Sequence, residues 1–468
     1  MTISNRTSLT CGQNVETHKI ASSKGHALTL ATLCMAVLIV QLDTTVVNLV
    51  MSPIGQYFHA AISSLQWVVD GYNLVYTAFL LTSGLLADLL GRRKIFMAGA
   101  GLLTLASVAC AWSPNVFVLV VARMVAGFSA ALILPASLAL IRVIWQNDKE
   151  RATALGIWAG CNGLALAIGP TLGGLLAVYL GWRSVFLMTV PLGVATVVTA
   201  ALYVPESSDP GDRSFDVRGQ LLGAVALGAL AFAAIESYRH PVLSAIGGVV
   251  SVLSLGLFLR VEGKLRLAAL VPLDLFRMRP FVAVMITTAS MTFGMYGVLF
   301  LLPLAWQQSG IMNTAQAGIA LMPMALVFVV VSSFSGTLAQ RLGAKIMGGG
   351  VAVIGSGLVT IAVTAGFHHL VGVEIGLALT GVGMGLATGP LMGAAVEAVP
   401  AARSGSASAL INVARMVGAT LGVAILGAVF AVINEGGSQG LRVALLLGGG
   451  LQLAAAALSL RTCHGANQ

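Results

Sequence analysis

The segment GLLADLLGRRK, from Gly84 to Lys94, is a short charged stretch between two long apolar runs, and GTLAQRLGAK, from Gly336 to Lys345, follows the same pattern G-x-L-A-x-x-L-G. A second pair of segments repeats at nearly the same offset, because GPTLG at Gly169–Gly173 is echoed by GATLG at Gly418–Gly422. Two matched pairs indicate an internal duplication. In a membrane chain, a parallel repeat of this kind predicts two related halves around a central site.

The composition is that of a membrane protein, since 57% of the residues are hydrophobic, 9% are charged and the mean hydropathy is +0.95. A spanning helix needs about 20 apolar residues, and lipid accepts only helices and closed barrels. The apolar runs are continuous, so they predict about fourteen transmembrane helices. Helix 1 is expected to end near Met51 and helix 2 to begin near Gln66.

The predicted fold class is an all-α polytopic membrane protein with two six-helix bundles and two additional central helices. Residues 1–26 form a cytoplasmic tail, 27–205 the first bundle, 206–280 a central linker with the two extra helices, 281–461 the second bundle and 462–468 a second cytoplasmic tail. The linker begins with PESSDPGDRSFDVRG, which is rich in charge and turn-forming residues, as a hinge between bundles should be.

The distribution of lysine and arginine predicts the orientation, because cytoplasmic loops retain positive charge. Of the 25 lysines and arginines, 20 fall on the side of both termini, whereas Arg183, Arg239 and Arg442 fall opposite. Both termini are therefore expected in the cytoplasm, with the chain in the cell membrane. The net charge of +9 follows from this topology, so the expected partner is the lipid bilayer and nucleic acid is not expected.

The chain carries none of the sequence patterns of a cofactor or metal enzyme. Its five cysteines are scattered and lack the spacing of metal ligands. The phosphate-binding pattern GxxxxGK[ST] and the catalytic pattern HExxH do not occur. We therefore expect no cofactor, no metal and no enzymatic activity.

Ionisable residues inside predicted helices indicate functional positions, because a charge at the bilayer centre costs about 2.5–3.5 kcal/mol on insertion scales. Asp43 in helix 1 and Arg123 in helix 4 are expected at similar depths and could face each other. One interpretation is that Arg123 stabilises the ionised form of Asp43 in one conformation only, which would make Asp43 a proton carrier. The alternative is a fixed structural pair.

Asp70 lies among the aromatic residues Trp67, Tyr72 and Tyr76 in helix 2. An acid among aromatic rings can hold a cationic substrate. These four residues are therefore candidate substrate-binding residues. The alternative is an interfacial aromatic belt, since helix 2 is expected to begin only four residues before Asp70.

The charged segment at Gly84–Lys94 is a candidate gate at the cytoplasmic mouth. Gly84 and Gly91 permit close helix approach and a tight turn, and Asp88 can pair with the basic cluster that follows it, Arg92, Arg93 and Lys94. The alternative is that these arginines only fix the orientation of the chain in the membrane, a role that needs the same residues. A second Gly-rich region, in helix 5, contains Gly169, Pro170, Gly173 and Gly174, which allow helix contact and a bend.

Four motifs together resemble the major facilitator superfamily, and within it the fourteen-helix drug:proton antiporter branch. GLLADLLGRRK is similar to the gating loop between helices 2 and 3, LDTTVVNLVMSPI to the acidic motif of helix 1, RMVAGFSAALILP to the proton-coupling motif of helix 4, and GPTLGG to the antiporter motif of helix 5. The resemblance spans nearly the whole chain. The second-half copy departs from the gating motif, because Gln340 stands where the first half has Asp88.

The resemblance implies proton-coupled efflux of small hydrophobic or cationic compounds by alternating access, as in multidrug efflux and antibiotic resistance. It assigns Asp43 and Arg123 to proton coupling, Asp88 and Arg92 to the gate, and the helix 5 motif to the bend of exporters. The alternative is a dedicated exporter of one endogenous metabolite or toxin. The expected partners are a small-molecule substrate and protons; an oligomer is not required, and a periplasmic adaptor is left open.

Overall fold

The computed structural model describes residues 23–209, 216–265, 271–343, 345–365, 370–400, 403–433 and 437–464. Within these ranges the chain is almost entirely helical and contains no β-strand. The cytoplasmic tails predicted from the sequence fall largely outside the described residues, and so does part of the charged linker.

Seventeen α-helices and two short 3-10 turns follow one another along the described chain. The helices before the linker are α1 (Ser23–Val47), α2 (Met51–Phe58), α3 (Ile62–Leu90), α4 (Arg92–Ala111), α5 (Val116–Ile144), α6 (Asp148–Leu180), α7 (Ser184–Leu187) and α8 (Thr189–Tyr203). The middle pair is α9 (Val217–Ile235) and α10 (Pro241–Leu265). The remaining helices are α11 (Arg279–Gln308), α12 (Thr314–Ala320), α13 (Met322–Leu342), α14 (Lys345–Ala365), α15 (Leu370–Glu397), α16 (Ser404–Val432) and α17 (Ser438–His464).

These helices form 14 segments that are long and apolar enough to cross a membrane, in agreement with the sequence prediction. The difference between seventeen and 14 comes from three broken spans, in which α1 continues into α2, α7 into α8 and α12 into α13. Local breaks of this kind leave an apolar span intact and only change the direction of its axis.

Two helix boundaries differ from those expected from hydropathy. The first span does not end near Met51, because a 3-10 turn at Asn48–Val50 joins α1 to α2, which runs on to Phe58. Helix α3 begins at Ile62, four residues earlier than expected, since Ser63, Ser64 and Gln66 are polar yet helical. Asp70 is therefore eight residues inside its helix, about 12 Å from the end, and not four residues inside as expected.

The helices before the linker pack mainly on one another, as do those after it, and we call these groups the first half and the second half. Helix α9 packs on α10 and also reaches α3 of the first half and α16 of the second half. It thus lies across the seam between the halves. The domain boundaries given by the sequence stay a prediction.

The duplication seen in the sequence reappears in the packing. In the first half, Gly169 and Gly173 of α6 lie against Thr45 and Val46 of α1, so close that a methyl group on either glycine would overlap them. In the second half, the matching glycines of α16 lie equally close to α11 at its Ala289–Phe293 segment. Each copy of the motif therefore presses one helix onto the first helix of its own half.

Candidate functional site

The two halves meet at one end of the helices and separate at the other. We call the end that carries Gly91–Lys94 the GRRK end, and the opposite end, with the turn from His59 to Ala61, the far end. At the far end, the Gln66 amide donates to the carbonyls of Val423 and Ala424, each at 2.9 Å. Gln307 donates to the Leu49 carbonyl at 3.0 Å.

No such bridge joins the halves at the GRRK end among the described hydrogen bonds and ion pairs. Gly163 of α6 lies against Val329 of α13, but nearer the GRRK end on the same two helix faces a methyl group added to Gly156, Gly160 or Gly336 would meet no atom within 4 Å. The structure is therefore closed between the halves at the far end and open at the GRRK end.

Asp43 and Arg123 form a buried ion pair between α1 and α5. The Arg123 guanidinium donates to the Asp43 carboxylate at 2.5 Å, and the two side chains are only 1% and 2% exposed, respectively. The structure thus brings together the two charges that the sequence placed at similar depth. A pair this deeply buried is held by its mutual attraction and by further hydrogen bonds, since neither group is solvated.

Helix α3 supplies those further contacts. Arg123 Nε donates to the Val68 carbonyl at 3.1 Å, and the guanidinium lies over the Tyr72 ring, 4.4 Å from its centroid. One turn beyond Arg123, Gly127 lies directly against the Tyr72 backbone, which leaves no room for a side chain. Arg123 therefore connects three helices, α1, α3 and α5, through one planar group with several donors.

The predicted gate residues form a compact turn at the GRRK end. Asp88 accepts from Nε and a terminal nitrogen of Arg92, at 2.9 Å and 2.7 Å. Gly91 between them has φ +108°, a conformation that side chains rarely adopt. The Arg93 amide donates to Glu206 at 3.0 Å, and a side chain on Gly91 would collide with the same carboxylate.

Backbone hydrogen bonds join this turn to the segment that follows α8. The Arg92 amide donates to the Ser207 carbonyl at 2.8 Å, and the Asp209 amide donates to the Asp88 carbonyl at 2.8 Å. Gly84, six residues before the end of α3 at Leu90, packs loosely against Pro135 of α5. In this conformer the turn is tied to its own half of the molecule.

The predicted antiporter segment lies between the halves. Gly169 and Gly173 face α1, as described above. On another side of α6, Gly174 lies against the backbone of Thr314, and the Pro170 carbonyl lies against Gly318 of α12. The small residues of this segment therefore allow α6 to touch its own half and the second half at once.

The four residues predicted to bind substrate do not face one place. Trp67 donates to Glu236, the residue that follows α9, at 3.2 Å, and Tyr72 covers Arg123 inside the first half. Asp70 is 0% exposed and lies on the same side of α3 as Gln66 and Leu74. Gln66 bonds to α16, and Leu74 lines a small cavity together with residues of α9 and α16. Tyr76, 9% exposed, belongs to the core of the first half and lies beside Tyr72.

Sequence reasoning missed the uncharged polar residues that bridge helices. Gln66 and Gln307 join the halves at the far end, and Gln220 of α9 bonds to Thr82 and to the Ala78 carbonyl of α3. An amide inside an apolar helix is the signal that could have found them, because such side chains bond across helices in a membrane. Glu206, which holds the turn at Gly91, was missed because it lies outside the motif.

Three comparisons with known proteins agree with this architecture. The family model of the Major Facilitator Superfamily matches residues 33–423. Multidrug resistance protein Stp of Mycobacterium tuberculosis is 34% identical over 408 residues, which cover 86% of this chain and 76% of the relative. The methylenomycin A resistance protein of Bacillus subtilis is 33% identical, with 86% of each chain covered.

Among solved structures, a peptide transporter POT in complex with sulfate superposes with a TM-score of 0.69 at 14% identity, covering 93% of this chain and 94% of that one. A POT family transporter in complex with 5-aminolevulinic acid gives the same TM-score at 13% identity, with 92% and 95% covered. At such low identity these two structures support the fold assignment and nothing further. With 14 membrane-capable helices and a family model that matches most of its length, the chain is a multi-pass membrane transporter of the major facilitator superfamily.

Proposed function

We propose that this protein is a proton-coupled exporter of small organic compounds that works by alternating access in the cell membrane, with both termini in the cytoplasm. The observation that carries the proposal is the buried Asp43–Arg123 pair inside a transporter that is closed at the far end and open at the GRRK end. Relatives named for multidrug resistance and drug efflux support export of drug-like compounds. In this orientation the described conformer faces the cytoplasm.

The coupling step follows from the contacts of Arg123. Protonation of Asp43 removes the negative partner of a buried cation, and loss of one partner of a buried pair costs about 3–5 kcal/mol. Arg123 also holds the α3 backbone at Val68 and lies under Tyr72. A proton on Asp43 therefore changes the free energy of the arrangement of α1, α3 and α5, and so favours one conformer over the other.

The GRRK turn acts as the gate in this proposal. Asp88, Arg92 and the Glu206 carboxylate hold the turn in the open conformer. Closing this end requires the turn to move toward the second half, so these bonds must rearrange. The substrate would bind between the halves while this end is open, and the far end would open after it closes.

Transport into inverted membrane vesicles tests the proposal. An imposed pH gradient, acid inside, should drive uptake of an organic dye by the wild type, and Asp43→Asn should abolish the dependence on the gradient because it removes the titrating group. The matched control is Asp148→Asn, an acid at the exposed start of α6 that pairs only with its neighbour Arg151 among the described residues. Gradient-driven uptake that persists in Asp43→Asn would overturn the coupling proposal.

The narrower candidate is an exporter of one metabolite or toxin. The relative named for methylenomycin A resistance favours it, since that name refers to a single compound. A panel of chemically unrelated dyes and antibiotics separates the two. Uptake of several unrelated compounds supports a multidrug exporter, whereas uptake of one chemical type supports the narrow exporter.

A further inference from the structure

The two additional helices, α9 and α10, form one hairpin, which the proposed coupling does not use. Two serines of α10 hold the pair together, because Ser244 donates to the Ala233 carbonyl at 2.6 Å and Ser251 donates to the Ala226 carbonyl at 2.8 Å. Between these bonds, Gly247 of α10 lies against the α9 backbone and leaves little room for a side chain. Hydrogen bonds and close packing of this kind join helices in a membrane, so the hairpin moves as one unit.

The start of α9 is hydrogen-bonded to the first half. Gln220, in the first turn of α9, accepts from the Thr82 hydroxyl and donates to the Ala78 carbonyl of α3. Gln220 and Thr82 are only 6% and 4% exposed. A buried amide in a membrane that loses such partners finds no water to replace them. These bonds therefore fix the start of α9 to α3.

The other end of α9 is joined to the same helix. Trp67 of α3 donates to Glu236 at 3.2 Å, and the Trp67 and Phe232 rings lie 6.2 Å apart. In the turn that follows, Arg239 donates to the Ser63 hydroxyl at 3.5 Å. The bonds at the two ends of α9 are about 24 Å apart along its axis. Among the described residues, the polar bonds that leave α9 and the turn after it all run to α3.

The contact between α9 and the second half is of a different kind. Helix α9 packs on α16, but no hydrogen bond joins these two helices in the part of the chain that the structure describes. Leu227 and Leu230 of α9 meet Val417 and Leu421 of α16 around a small apolar cavity. The Thr420 hydroxyl, which lines the same cavity, forms no hydrogen bond with a described residue.

The two interfaces of α9 therefore differ in what it costs to move them. Separating α9 from α3 would leave a buried amide and a buried hydroxyl without partners, which is costly in a membrane. Sliding α9 along α16 breaks no described polar bond. Apolar helix surfaces also part in lipid at little cost, since the lipid tails are as apolar as the side chains. The contact with α16 is thus the one that can change when the halves move.

We propose that the α9–α10 hairpin belongs mechanically to the first half, so that it moves with α3 while α16 slides along α9. The proposal rests on the alternating access of the proposed function, because the attachment matters only if the halves move relative to each other. The bonds at both ends of α9 are the anchors. The seam between α3 and α16 would therefore stay covered by the hairpin while the far end opens and closes.

Three distances between spin labels at the far end test the proposal. Labels replace Trp112, Val242 and Val371, which are 68%, 72% and 74% exposed and report the first half, the hairpin and the second half. The full chain, with its five native cysteines replaced, is measured in lipid nanodiscs by pulsed electron resonance. Distances are compared with and without Gln66→Leu, which removes the bonds that close the far end.

In Gln66→Leu, the distance from 112 to 371 should gain a longer population as the halves separate. The distance from 242 to 371 should gain it too, whereas the distance from 242 to 112 should keep its single maximum. The reverse pattern, or new populations in both hairpin distances, would overturn the proposal. A distance from 112 to 371 that never changes would contradict the opening itself, and the proposal would fall with it; this result is distinct from the reverse pattern.

Removal of the anchors tests the attachment without any need for the far end to open. Gln220→Leu combined with Trp67→Phe removes the polar bonds of both side chains, so the distance from 242 to 112 should lose its single maximum and broaden. The matched control on the same helix is Gly228→Ala, where a methyl group meets no atom within 4 Å, and it should leave all three distances unchanged. A distance from 242 to 112 that stays narrow without the anchors would overturn the proposal.

Discussion

Single residues set how closely helices approach around the buried charges. Gly127 lets the α3 backbone at Tyr72 lie directly on α5, and this contact brings the Val68 carbonyl within reach of Arg123. The sequence showed the charges, since Asp43 and Arg123 stand out in apolar helices. It could not show that α3 also contacts Arg123, because the contacts are the Val68 backbone carbonyl and the ring face of Tyr72, and neither has a sequence pattern of its own.

Gly127→Ala should therefore lower stability and displace α3 from Arg123. Overpacking of a close contact costs about 1–3 kcal/mol. Thermal unfolding of the purified protein in detergent measures the effect, with Gly228→Ala as the control, because a methyl group on Gly228 of α9 meets no atom within 4 Å. An unchanged melting temperature in Gly127→Ala would contradict the close packing described at Tyr72.

At the scale of elements, hydropathy predicted the number of spanning segments but not all of their ends. Fourteen apolar runs appear as 14 membrane-capable segments. Helix α3 begins earlier than expected because its first turns contain Ser63, Ser64 and Gln66, which lower the hydropathy, although Gln66 bonds to α16 inside the protein. Polar residues that face another helix look, in a sequence alone, like residues that face water. The same ambiguity hid the bonds of Gln220 between α9 and α3.

Gln66 provides a test of the closed far end. It is 1% exposed and donates to two carbonyls of α16, so Gln66→Leu should remove about 1–2 kcal/mol from the closed conformer. The population that is open at the far end should rise by roughly five- to thirtyfold. Spin labels at positions 59 and 438, measured by pulsed electron resonance, report the far-end distance.

The control for this experiment is Gln56→Leu, an exposed glutamine of α2 at the same end. The account predicts a new long-distance population in Gln66→Leu and none in Gln56→Leu. Distance distributions that are identical in the wild type and both variants would show that the Gln66 bonds do not hold the far end closed.

At the scale of the whole molecule, the repeat explains the architecture and its departures from symmetry indicate the function. Each half presses a Gly-rich helix onto its first helix, yet among the described residues the buried ion pair of Asp43 and Arg123 occurs in the first half alone. The motifs made the family and the pairing of Asp43 with Arg123 predictable from the sequence. The motifs do not specify the residues that bind substrate, and the four candidates chosen from α3 do not face one place, since Tyr72 covers Arg123 and Trp67 bonds to Glu236.

The central claim is that substrate export and proton movement are one coupled process through Asp43. The most direct measurement is proton counterflow in proteoliposomes that contain the purified full chain and a trapped pH-sensitive dye, after a substrate gradient is imposed without a pH gradient. The account predicts that substrate flow drives protons in the opposite direction in the wild type, and that Asp43→Asn shows no counterflow. Substrate flow through the wild type without any proton movement would contradict it.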